Sequence, residues 1–247
     1  MRRQLAGVAA AAVAVIALTP GQALAMHISE GILPPAWVGL WFAVAAPFVA
    51  FGLHVIKTRR ARHSRYMAML AMVGAAVFLI SCMPIPVPVA GSCSHPCGTG
   101  LAAILVGPAA TVVIAGIALV FQALFMAHGG LTTLGANIVS MGIVGAFAGY
   151  AAYRVVRRLS GSAVLGAFAA GLVSDWATYA ATSLILSSAL HGDGSLWTMF
   201  WAILAAFVPT QLPLGILEGL LSAGAYRFVM ARRPELFEPA PISLEEV

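Results

Sequence analysis

Long apolar runs separated by short polar breaks dominate the chain. They extend over about 36–56, 66–83, 99–127, 136–153, 162–190 and 196–228. Runs of this length predict membrane-spanning helices, since about 20 apolar residues cross ~30 Å of hydrocarbon. No Asp, Glu, Lys or Arg occurs between Tyr66 and Tyr153. The breaks are short, so the pattern describes one membrane domain over 26–233 and a tail over 234–247. The expected fold is all-α and polytopic.

Composition sharpens this reading. Of 247 residues, 61% are hydrophobic and 9% are charged, and the mean hydropathy is +0.97. A soluble globule of this size could not hide so much apolar side chain. Soluble enzymes, nucleic-acid binders and disordered chains are thereby excluded. The net charge of +5 reports topology rather than a nucleic-acid partner.

The first 25 residues have a different character. Arg2 and Arg3 precede a 14-residue apolar stretch, Leu5 to Leu18, and Ala23-Leu24-Ala25 is a small-x-small site. This is the layout of a cleaved secretory signal peptide. Cleavage after Ala25 would leave Met26-His27 at a free N-terminus outside the cytoplasm.

Every other basic residue falls in one of three clusters: Lys57 to Arg65, Arg154 to Arg158, and Arg227 to Arg233. Such clusters prefer the cytoplasm. Six crossings from an outer N-terminus would leave the second and third clusters outside. One extra crossing repairs both. Gly107-Pro108 is the place for it, because proline disfavours helix continuation. Segments over about 98–106 and 108–127 follow, giving seven in all, with an extracytoplasmic N-terminus and a cytoplasmic C-terminus.

On this topology the candidate chemistry collects on the outer side. A free Met26 amine, the Met26–His27 amide nitrogen and the His27 ring offer three nitrogens to one ion. A fourth completes a planar set suited to Ni(II) or Cu(II), and imidazole sites also suit Co. His95 is the natural fourth donor. It lies in Gly91-Ser92-Cys93-Ser94-His95-Pro96-Cys97-Gly98, whose glycines and proline predict a tight turn. Cys93 and Cys97 could ligate a soft ion or pair as a disulfide. Asp175 and Glu218 lie within spans and are functional candidates for that reason; contact with Ser, Thr or Tyr of a neighbouring helix is the alternative. Gly39/Ala43, Gly142/Gly145/Gly149 and Gly215/Gly219 suggest close helix packing. There is no G-x-x-x-x-G-K-[ST] and only one lysine, so the chain carries no ATPase site of that type.

Four stretches resemble the CbiM/NikM family. They are Met26-His27-x-x-Glu30-Gly31-x-Leu33-Pro34-Pro35, Ser94-His95-Pro96-x-Gly98-Thr99-Gly100, the run from Phe121-Gln122 through Ala127-His128-Gly129-Gly130 to Asn137, and Thr210-Gln211-x-Pro213-Leu214-x-x-x-Glu218-Gly219. The resemblance covers about Met26 to Phe228. It implies the substrate-capture component of an energy-coupling-factor ABC transporter importing cobalt or nickel across the bacterial cytoplasmic membrane. It further implies a seven-helix S-component-like fold with an extra N-terminal helix, and metal held by Met26, His27 and His95. Glu30, Ser94, Thr99, His128 and Asn137 are the expected supporting residues. The expected partners are a transmembrane coupling subunit, cytoplasmic ATPases and a small accessory membrane protein. Co2+ or Ni2+ would be cargo, with no prosthetic group and no catalysis by the chain itself. Family members usually carry Ser or Thr where this chain has Cys93 and Cys97. The alternative function is a stand-alone channel or carrier for a divalent cation or copper, which would not depend on ATPase subunits.

Overall fold

Residues 27–62, 65–82, 85–87 and 92–233 are described in the computed structural model. The expected signal peptide, Met26 and the tail from 234 lie outside the described residues. Among the described residues, seven helices form the bundle: α1 Pro35–Arg62, α2 Tyr66–Ser81, α3 Thr99–Val106, α4 Pro108–Phe125, α5 Leu134–Ser160, α6 Ala163–Leu190 and α7 Leu196–Arg232. Five of them, α1 and α4 to α7, are long and apolar enough to cross a bilayer, and α2 is a shorter apolar helix. The all-α expectation holds but for one ribbon. Strands β1 (Ile85–Val87) and β2 (Ser92–Ser94) pair antiparallel, with Ile85 opposite Ser94.

The helix boundaries follow local chemistry. α4 opens on Pro108, whose missing N–H costs nothing in a first turn. α6 and α7 are capped by the Ser162 and Ser195 side chains, which accept from Leu165 N and Thr198 N. α1 and α5 run several residues past their expected ends at 56 and 153. The added residues include Lys57, Arg59, Arg60, Arg154, Arg157 and Arg158, and both Lys and Arg are good helix formers. The apolar pattern marks the edge of the hydrocarbon; the helix itself continues beyond it.

The break at Gly107-Pro108 is present. Gly107 has φ +88°, and the chain reverses there from α3 into α4. Arg59, in the last turn of α1, donates to the Val106 carbonyl at 2.5 Å. Its cation thus meets the carbonyl end of α3. α3 has only eight residues, about 12 Å, so it is a half-helix within the bundle. It is almost wholly buried. Gly100 lets it lie against Ala170 of α6, where a Cβ would collide with the Ala170 backbone.

Gly145 and Gly149 likewise admit α6, and Gly215 and Gly219 admit Trp176 and Phe168 at the α6–α7 contact. Gly39 has nothing near it, so that expected contact is absent. Within α5, Ile138–Gly145 is π-helical, a local widening that often accompanies function. At the far end from the N-terminal segment, Tyr153 meets Tyr226 at 3.2 Å and Arg157 donates to Tyr153. The second and third arginine clusters therefore share one end of the bundle. Leu105 of α3 and Val229 of α7 line one crevice, which brings the Arg59 end to the same side.

Candidate metal centre

Three segments meet at the opposite end: the stretch before α1, the loop between β2 and α3, and the turn between α4 and α5. Each contributes a histidine. The rings of His27 and His95 are 4.8 Å apart, those of His27 and His128 are 4.8 Å apart, and those of His95 and His128 are 5.1 Å apart. All three side chains are buried. One ring nitrogen from each lies within 4.8 Å of the others. Two nitrogens flanking one ion at about 2.0–2.1 Å would be ~4 Å apart, so three lone pairs can converge here with little adjustment.

Neighbouring groups decide which nitrogens carry lone pairs. His27 Nε2 lies 2.8 Å from Gln122 Oε1. The Gln122 amide cannot be turned round, because its NH2 donates to the Ser81 Oγ at 2.8 Å and the Ser81 carbonyl at 3.2 Å. Ser81 Oγ in turn donates to the Val77 carbonyl. His27 Nε2 therefore carries the proton and Nδ1 carries the lone pair. In His95 the roles are reversed: Nδ1 donates to the Pro96 carbonyl at 2.8 Å. His95 Nε2 and His128 Nε2 are buried without a hydrogen-bond partner among the described residues. Buried polar atoms are rarely left in that state without a reason.

Burial keeps all three rings neutral. It is the main cause pushing His95 down to about 3, helped by His128, and His128 down to about 4. His27 also falls well below the ordinary range, first through burial and then through the other two imidazoles. A neutral imidazole is the metal-binding form.

The surrounding residues hold the three segments in place. Asn137 grips Ile28 from both sides: its Oδ1 accepts from Ile28 N at 2.8 Å and its Nδ2 donates to the Ile28 carbonyl at 3.2 Å. Thr133 Oγ1 donates to the same carbonyl. Glu30 accepts from Thr132 N at 3.1 Å. Gly129 has φ +79°, and a Cβ there would sit 2.8 Å from the His27 Cβ. Glycine at 129 is thus demanded both by the turn and by the close approach of His27.

The His95 loop is anchored almost residue by residue. Ser94 donates to Thr210 Oγ1 at 2.7 Å and accepts from Gln211 Nε2. The Tyr179 hydroxyl accepts from His95 N at 2.9 Å. Glu218 accepts from Cys97 N at 2.6 Å and Gly98 N at 2.8 Å.

Most of the expected site residues converge here, with corrections of role. His128 stands in the imidazole cluster itself and not merely behind it. Thr99 faces away, bonding Ser174 at 2.9 Å. Cys97 is a free thiol, and the Cys93 side chain lies outside what is described; Cys97 stands beside Asp175 and Glu218, in a cluster separate from the imidazoles. Cys82 is also free and lies 3.4 Å from the Met126 sulfur. Glu218 meets backbone amides rather than Ser, Thr or Tyr. Met26 lies outside the described residues. Gln122, Ser81 and Tyr179 were not anticipated. The signals for Gln122 were an amide within an apolar span and its place in the Phe121–Asn137 stretch.

A family model described as cobalt uptake substrate-specific transmembrane region matches residues 27–236. The chain belongs to the CbiM family. A cobalt transport protein CbiM of Sorangium cellulosum is 54% identical over 213 residues, covering 86% of this chain and 95% of that one. Its counterpart in Geobacter sulfurreducens is 53% identical, covering 96% of this chain and 68% of that one. A crystal structure of a truncated transition metal transporter superposes with a TM-score of 0.73 at 26% identity, covering 83% of this CbiM-family chain and 99% of that one.

The role of Gln122 can be measured. Groups that orient metal-binding imidazoles typically contribute about 10–100-fold to affinity. Gln122→Leu should weaken Co(II) binding by that factor in an equilibrium titration, because His27 can then flip tautomer. An affinity equal to that of the unsubstituted protein would show that something else sets His27.

Proposed function

We propose that this CbiM-family chain is the substrate-capture component of an energy-coupling-factor importer for cobalt or nickel. The observation that carries the proposal is the cluster of three buried, neutral imidazoles with one ring nitrogen of each within 4.8 Å of the others. In this reading His27 binds through Nδ1 and His95 through Nε2. The amine and amide nitrogens of Met26-His27 complete the set once residues 1–25 are removed, and His128 offers a fifth donor. The relatives are named for cobalt; the planar nitrogen set would serve Ni(II) equally well. Asn137, Thr133, Glu30, Ser94, Tyr179 and Glu218 hold the backbone segments that carry the donors.

The importer would need a transmembrane coupling subunit, cytoplasmic ATPases and a small accessory membrane protein. Radiolabelled cobalt uptake should therefore be seen when the chain is expressed with those subunits. It should drop to background when the ATPases carry inactivating substitutions. Undiminished uptake by the chain alone would favour a stand-alone carrier and defeat the proposal.

The same reading sets the imidazole end outside and the arginine end in the cytoplasm. Asp193 is exposed in the connection between α6 and α7. Asp193→Cys, in a background with Cys82, Cys93 and Cys97 replaced by serine, should react with an impermeant thiol reagent on intact cells. Reaction only after lysis would reverse the orientation.

A further inference from the structure

The transport reading leaves one buried cluster unused. Cys97 Sγ and the carboxylates of Asp175 and Glu218 all lie within 4.8 Å of one another. The three residues come from the loop before α3, from the middle of α6 and from α7. All are buried, Cys97 and Asp175 fully so. The described spans supply no basic partner: the cationic residues lie at the far end of the bundle. We propose that this cluster is a second divalent-metal site, inward of the imidazoles.

The hydrogen bonding shows which form the carboxylates take. Each Glu218 oxygen accepts a backbone N–H, from Cys97 and from Gly98, just before the N-terminus of the half-helix α3. Both oxygens act as acceptors at short distance, as an ionised carboxylate does. Asp175 stands beside this anion. Its Oδ1 is 4.0 Å from Cys97 Sγ, and its Oδ2 has no partner among the described residues. That oxygen points towards α7, where a Cβ on Gly215 would come within 3.2 Å of it. An unpaired carboxylate oxygen buried beside a second carboxylate is expensive in a span. A dication bound between the two and the thiol removes that cost. The remaining lone pairs of Glu218 stay available, because each oxygen spends only one on the loop.

The donor set differs in kind from the imidazole cluster. Carboxylate oxygens with one sulfur suit Co(II) or Zn(II) in a compact non-planar geometry, and lack the nitrogens that favour planar Ni(II) or Cu(II). Binding forms the metal–sulfur bond and releases the Cys97 thiol proton to solvent. Cys97 is on the same loop as His95, separated from it by Pro96 alone. That an ion passes from one cluster to the other rests on the transport reading; the site itself does not.

The experiment is a Co(II) titration of the purified mature chain in a Cys82→Ser/Cys93→Ser background, followed by equilibrium dialysis and near-ultraviolet absorption. Cys97 is then the sole thiol. Two equivalents should bind, one of them with a thiolate-to-cobalt charge-transfer band. Adding Cys97→Ser or Asp175→Asn should remove that equivalent and the band. Adding His27→Ala instead should remove the other equivalent and keep the band. One equivalent without the band in the parent protein overturns the second site. Two equivalents with the band after His27→Ala would instead refute the imidazole cluster as a cargo site and leave the second site standing.

Discussion

A chain that retains residues 1–25 should reach the membrane and lose tight binding of Co(II) or Ni(II) at the imidazole cluster. The reason lies in His27. Its Nε2 proton is committed to Gln122, so an ion must bind through Nδ1. Nδ1 is the ring nitrogen that closes a six-membered chelate with the residue's own amide nitrogen. A free Met26 amine adds a five-membered ring on the other side. In the uncleaved chain the Met26 nitrogen is already an amide with no basic lone pair. The ion then meets separate imidazoles rather than a fused chelate. Linked donors typically gain about 10²–10⁴ in affinity over separate ones, so a loss of that order is expected. Replacing Ala23 and Ala25 with bulky residues should block cleavage. N-terminal sequencing identifies the chain produced, and equilibrium dialysis gives its metal content. Normal binding by the uncleaved chain would remove the Met26 amine from the site and leave His27, His95 and His128 as the donors.

The sequence disclosed the bundle more readily than the site. Apolar runs located every helix, and the distribution of arginines required the reversal at Gly107-Pro108. Both signals are local or additive along the chain, so they survive without tertiary information. His27 and His95 were legible because Met26-His27 reads as a chelating terminus and His95 lies in a turn marked by glycines and proline. Gln122 was not, since its meaning depends on His27, 95 positions away, and on Ser81, 41 positions away on another helix. Glu218 stood out as an intramembrane charge, but its partners are backbone amides 120 and 121 positions away. A residue type can announce that it needs a partner. Only the packing of α3 against α6 and α7 supplies one. The same limit applies to Thr99: it is among the supporting residues expected from the sequence, and the first turn of α3 rotates it towards Ser174 instead.

Metal affinity should depend on pH with a slope that changes near the pKa of an α-amine. On the proposed donor set, binding through the Met26–His27 amide would release one proton at any pH. Below about 7.7–8.0 the amine is protonated and must release another. The three imidazoles release none, because burial holds His95 near about 3, His128 near about 4 and His27 well below its ordinary value. Each released proton changes affinity about tenfold per pH unit. The apparent association constant should therefore rise about a hundredfold per unit below pH ~7.7 and about tenfold per unit above it. No further steepening should occur at pH 6.5, where free histidine titrates. The sign for the metal-free fold is related. Unfolded histidines take up protons near 6.5 while the folded ones do not, so stability is complete above that pH and is lost progressively as pH falls towards 4. Co(II) affinities of the Cys97→Ser chain, in which only the imidazole site should bind, measured from pH 5 to 9, with thermal midpoints of the metal-free protein in detergent, test both statements. A third proton appearing between pH 7 and 6 would mean that at least one imidazole titrates as an exposed histidine. The closed, neutral cluster would then be the wrong description of the resting site.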